Sequence, residues 1–219
     1  MYNSFNIIML YYFVKEEHME KILIYGDSNT WGDNFNTGKR IPTSKQWPNI
    51  LKKKLGRKYQ IFQEGLPGRL AGDEEERKYK NGKDTFLSTF KTCAPVDIIF
   101  IVLGTNDLQI KYNKSSEKII EDLKWYKEIL EIEYEDDRIK YFSKKFPKIY
   151  YVMPINFDND YIFDRLSEKK RLEVINYFKN NKEYDIIIPS HMTLSDGIHL
   201  DYNGHEEMAK IIGEVFDNE

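Results

Sequence analysis

Two kinds of apolar pattern alternate along the chain. Short runs of buried-strand character, Ile22–Tyr25, Lys58–Gln63, Asp97–Leu103, Lys148–Met153 and Tyr184–Ile188, are separated by stretches whose apolar residues recur at the helical period. The clearest run is Asp97-Ile-Ile-Phe-Ile-Val-Leu103, whose six consecutive apolar residues suit a strand covered on both faces. Pro154 and Pro189 stop the last two strands. The spacing predicts helices over Thr43–Leu55, Asp84–Thr92, Asp164–Lys179 and Asn203–Phe216, and a long one opened by Ser115 or Ser116. In that long helix Ile119, Ile120, Leu123, Tyr126, Ile129 and Leu130 form one stripe. Thr43 with Gln46, and Asn203 with Glu206, have the spacing of capping boxes. Five strands alternating with helices predict an α/β fold with a parallel sheet covered on both faces.

The first residues stand apart. Ile7 to Val14 is an apolar run too short to cross a membrane, and no Lys or Arg precedes it as a secretory signal requires. Residues 1–18 are expected to be an N-terminal extension outside a single domain spanning 19–219, with Met19 just ahead of the first strand.

Composition narrows the class of partner. At 219 residues, 41% hydrophobic and 15% aromatic, the chain can bury a sizeable core. Its 33 basic and 36 acidic residues nearly cancel to a net charge of −3, so no global field attracts nucleic acid or an anionic membrane. A small molecule is the expected partner, with a homo-oligomer left open. The single cysteine, Cys93, excludes an internal disulfide and fits a reducing, cytoplasmic setting. Its surroundings, Lys-Thr-Cys-Ala-Pro, favour packing over catalysis.

The chemistry-bearing residues gather after the strands. Gly26-Asp27-Ser28 follows the first strand, Gly65-Leu-Pro-Gly68 the second, Gly104-Thr-Asn-Asp107 the third, and Asp196-Gly-Ile-His199 lies beyond the fifth. In an open α/β sheet the carboxyl ends of the strands form the ligand crevice, so these residues converge on one rim. A nucleophilic serine needs a base, a carboxylate to orient that base and donors for the oxyanion. His199 can be the base for Ser28 and Asp196 its orienting acid. The N–H groups of Ser28 and Gly68 and the Asn106 amide can supply the donors. No phosphate-binding glycine loop follows the first strand, and the Gly-x-Ser-x-Gly elbow is absent around Ser28. His205 reads as a surface or capping neighbour at a helix start, and His191 has no nearby acid. Asp196, His199, Asp201 and His205 could be read as metal ligands, but no second ligand group accompanies them, and no metal is expected.

These segments resemble the four sequence blocks of the SGNH (GDSL-like) esterase and acylhydrolase family. Gly26-Asp27-Ser28 with Asn29-Thr-Trp-Gly32, the loop around Gly68, Gly104-Thr-Asn106-Asp107 and Asp196-Gly-Ile-His199 occur in the family's order over about Lys21 to Phe216. Leu103-Gly-Thr-Asn-Asp-Leu108, Glu64-Gly-Leu-Pro-Gly-Arg69, Asn81-Gly82 and the Arg40…Trp47 pair are closest to the arylesterase and acyltransferase branch. The resemblance implies a three-layer, flavodoxin-like α/β/α serine hydrolase with a catalytic Ser28, Asp196 and His199. It also implies an oxyanion hole of Ser28, Gly68 and Asn106, and no cofactor. Asp27, Trp31 and Asp107 are expected to support the site or line its pocket, Asp107 chiefly by bracing its turn. The branch tends to carry threonines after the arginine of its second block, whereas Leu70-Ala-Gly-Asp73 follows here, so the resemblance does not carry the branch's substrate preference over to this chain. Trp31, Phe157, Tyr161 and Phe163 are expected to narrow the acyl pocket. The alternative is a non-catalytic carbohydrate- or ester-binding domain on the same fold.

Overall fold

The computed structural model describes residues 19–72, 75–135 and 145–217. The apolar run at residues 7–14 and the first two residues of the charged stretch from Asp73 lie outside them.

Strands β1 (Glu20–Gly26), β4 (Tyr59–Gly65), β5 (Ile98–Val102), β6 (Lys148–Val152) and β7 (Asp185–Ile187) form one parallel sheet in the order β4-β1-β5-β6-β7. This is the flavodoxin-like order, and it puts the topological switch between β1 and β5. The short strands β2 (Asp33–Asn34) and β3 (Lys39–Arg40) form a separate antiparallel ribbon that the sequence pattern does not predict.

The two faces of the sheet make two cores because alternate strand residues point to opposite sides. Leu23, Tyr25, Ile99, Ile101 and Tyr151 meet α3 (Gly82–Cys93), α4 (Ser116–Glu135) and α5 (Arg165–Asn180). Ile22, Ile24, Phe100 and Val152 meet α2 (Trp47–Leu55) and α6 (Tyr202–Gly213). Full burial of a large apolar side chain contributes about 1.5–3 kcal/mol, so the doubly covered strands supply much of the driving force for folding. Cys93 is buried in the first core, and that burial pushes its thiol up to about 11, as befits a packing residue.

Several helix starts differ from the sequence expectation. Thr43–Lys45 is a separate 3-10 turn, and α2 begins at Trp47 with no side-chain cap from Gln46. Gln46 is fully buried instead. Its amide donates to the Ile41 carbonyl at 2.6 Å, and its oxygen accepts from Gln63 at 2.8 Å and Arg40 at 3.2 Å. Helix α6 starts at Tyr202 because Asp201, rather than Asn203, caps it by accepting from Gly204 N. Asn81 caps α3 and Asp164 caps α5 in a reciprocal box with Ser167.

Candidate active site

At the end of β1 the chain turns sharply into α1 (Ser28–Trp31) rather than entering an open loop. Asp27 caps this turn by accepting from Asn29 N at 2.9 Å, which places Ser28 at the first helical position over the switch point. The N–H of a residue there has no intrahelical acceptor, so Ser28 offers a backbone donor beside its own hydroxyl. Burial pushes Asp27 up to about 6, against the Asn29 hydrogen bond and the nearby His199.

Asn29 joins this turn to the histidine loop. Its side-chain oxygen accepts from Leu200 N at 2.8 Å and its amide donates to the Ile198 carbonyl at 3.2 Å, gripping the residues on both sides of His199. This buried residue is the positioning element that the sequence reading passes over. An Asn directly after the serine was the only signal for it, and the partners are about 170 residues away.

The histidine loop is built around Asp196. One carboxylate oxygen accepts from the backbone of Ile198 and His199 at 3.1 and 2.8 Å, and the other lies 2.8 Å from His199 Nδ1. Burial alone would raise this carboxyl. The backbone and ring of His199 and the Ile198 N–H outweigh it and hold Asp196 below the usual range. Gly197 is required here, because φ is +81° and a Cβ would fall 1.8 Å from the Asp158 carbonyl oxygen.

The second and third loops meet at Arg69. Gly68, at φ +74°, leads into a buried Arg69 whose guanidinium donates to the Gly26 carbonyl and covers the Tyr25 ring. Asn106 donates from Nδ2 to the Arg69 carbonyl at 3.1 Å and accepts from Gln109 at 2.7 Å, which fixes its amide plane. One N–H of that amide remains for a ligand, because a primary amide carries two. Asp107 is buried at the base of this turn. It accepts from Ala71 N at 2.8 Å and from Lys114 Nζ at 2.8 Å, which ties its turn to the second loop.

Two expectations need correction. His205 is fully buried, not a surface neighbour. Its Nδ1 accepts from Trp47 N at 3.2 Å, and burial pushes the imidazole down to about 4. Tyr161 is 98% exposed and Phe163 is buried in the core, so the three aromatic residues of this loop do not form one wall. Phe163 is instead stacked on Phe157 at 4.0 Å between ring centres. Trp31 stays near the serine, with the Arg40 guanidinium 5.0 Å from its ring centre and Arg40 Nε donating to its carbonyl.

Among the described residues no group of three or more His, Cys, Asp or Glu side chains could hold a metal ion, and no helix is long and apolar enough to cross a membrane. Ser28 Oγ and His199 are not hydrogen-bonded to each other among the described residues; in unliganded enzymes such a contact is often long and tightens when substrate binds.

Comparison with known proteins bears on the fold and the family. A carbohydrate acetylesterase family member from Sinorhizobium meliloti has 21% identity and a TM-score of 0.79, over 91% of this chain and 98% of that one. The native aryl esterase of M. smegmatis also has 21% identity and a TM-score of 0.79, over 91% and 99%. A lipolytic G-D-S-L family member from Veillonella parvula, at 17% identity, has a TM-score of 0.63 over 91% and 100%. At these identities the likeness is one of fold. No curated protein matches the sequence. The GDSL-like lipase/acylhydrolase family description matches residues 22–212, and the chain therefore belongs to that family of carboxylic ester hydrolases.

Proposed function

We propose that the enzyme cleaves small acyl esters through an acyl-enzyme on Ser28, with His199 as general base and acid and Asp196 as its orienting carboxylate. The observation that carries this reading is the Asn29 clamp, which ties the turn bearing Ser28 to the loop in which Asp196 grips His199 Nδ1. With Nδ1–H directed at Asp196, the Nε2 lone pair is the one available to a proton.

Ser28 Oγ attacks the ester carbonyl carbon while His199 Nε2 takes its proton. The oxyanion is held by the N–H groups of Ser28 and Gly68 and by Asn106 Nδ2. Collapse breaks the bond to the alcohol, which leaves with the proton from Nε2. Water, or a second alcohol in acyl transfer, then releases the acyl group by the reverse proton route. Every proton is carried by His199, so the scheme needs neither metal nor cofactor. The single cysteine supports a cytoplasmic location.

Fluorophosphonate labelling tests the reading. The wild type should be modified at Ser28, Ser28→Ala should not, and His199→Ala should label far more slowly. An unreactive wild type would leave the non-catalytic binding domain as the better account.

A further inference from the structure

Asp33, in the short strand after α1, places Oδ2 3.9 Å from His199 Nε2, the ring nitrogen opposite the one held by Asp196. Its side chain is 26% exposed, and among the described residues it makes no side-chain hydrogen bond and has no other ionic partner. Arg40, its partner across the ribbon, is turned away to the Trp31 carbonyl and Gln46. A separation of 3.9 Å is too long for a hydrogen bond, so Asp33 does not orient the ring. One hydroxyl oxygen can hydrogen-bond to two polar atoms that far apart at the same time.

Position decides what that hydroxyl belongs to. Nε2 returns its proton to the departing alcohol, so a group facing Nε2 faces the alcohol half of the ester. In a polyol ester, the hydroxyl on the next carbon lies within hydrogen-bonding distance of the leaving oxygen. An ionised carboxylate accepts such a bond and repels an anion in the same place.

We propose that Asp33 is a specificity-determining residue on the alcohol side of the site, accepting a hydroxyl adjacent to the ester in neutral polyhydroxyl substrates and rejecting esters whose alcohol is anionic. The assignment rests on the esterase reading above and concerns only the choice of alcohol.

The test compares p-nitrophenyl acetate, glycerol monoacetate and O-acetyl lactate, which share an acyl group. Asp33→Ala should lower kcat/KM for glycerol monoacetate about tenfold or more, and leave p-nitrophenyl acetate within about twofold. Asp33→Asn keeps an acceptor but removes the charge. It should retain most activity on the glycerol ester and raise activity on O-acetyl lactate. Equal losses on all three esters would show that Asp33 acts through His199, and unchanged activities would show no role. Either outcome overturns the assignment while leaving the esterase intact. A wild type inert to all three esters and to fluorophosphonate would overturn both.

Discussion

Replacing Lys114 with methionine should destabilise the enzyme severely, because this ammonium holds together the loops that carry the oxyanion donors. Lys114 Nζ donates to the Gly72 carbonyl, to Asp107 at 2.8 Å and to Asp122 at 3.1 Å; its side chain is 8% exposed and both carboxylates are fully buried. Asp122 would keep Lys83 and Lys118, but among the described residues Asp107 would retain only the Ala71 N–H. Removing one partner of a buried pair costs about 3–5 kcal/mol, chiefly because the remaining charge is stranded. For a chain of this size that is a fall in Tm on the order of 10 °C.

The pH dependence gives a second reading of the same variant. Burial already raises Asp107, and Lys114 opposes that rise. Without the lysine the carboxyl should rise further, so the folded variant takes up a proton in acid that the unfolded chain does not yet bind. A group raised in the folded state stabilises it at low pH and loses that effect as pH rises through its folded value. The stability deficit should therefore be smallest in acid and grow towards neutrality. Urea unfolding of wild type, Lys114→Met, Asp107→Asn and the double variant measures this directly. The double variant should recover part of the loss, since an amide can still accept from Ala71. A single-variant loss under about 1 kcal/mol, or a double variant no better than Lys114→Met, would refute the stranded-charge argument.

Asn106→Ala should lower kcat on the order of 10²–10³-fold with little change in KM, since it removes one oxyanion donor; a loss under about tenfold would take Asn106 out of the hole. Because Asn106 also ties Gln109 to the Arg69 carbonyl, some loss of stability should accompany it. His205 is held down at about 4 against 6.5 in a free side chain, so the folded state refuses a proton that the unfolded chain binds. Stability should be intact above pH 6.5 and fall as pH drops towards 4, by on the order of 3 kcal/mol from this group. His205→Asn should flatten the urea midpoint between pH 6.5 and 4.5 while leaving kcat at neutral pH within about threefold, whereas His199→Ala should cost on the order of 10³-fold. An unchanged slope would remove His205 from the acid response.

The sequence by itself determined the five strands, the alternation with helices and the four loops that carry the chemistry. Those signals are local: a strand buried on both faces must be a continuous apolar run, as at Ile98–Val102, and a buried helix face must repeat at the helical period. Pairing Asp196 with His199 was legible for the same reason, because three residues in one loop set the contact. What only the tertiary structure decided depends on partners far along the chain. The pattern of Thr43 and Gln46 satisfies a capping rule, yet burial beneath Arg40 and beside Gln63 gave Gln46 better hydrogen bonds than its own helix could offer. His205 stands at the start of α6 among polar neighbours, and only the packing of α2 against α6 turned its ring inward onto Trp47 N. Likewise neither Asn29 nor Asp33 shows from its neighbours which way it faces. The return of the last loop across the end of β1 set Asn29 between Ile198 and Leu200 and brought His199 within 3.9 Å of Asp33, because close packing of distant segments, not local propensity, fixes where a polar side chain finds its partner.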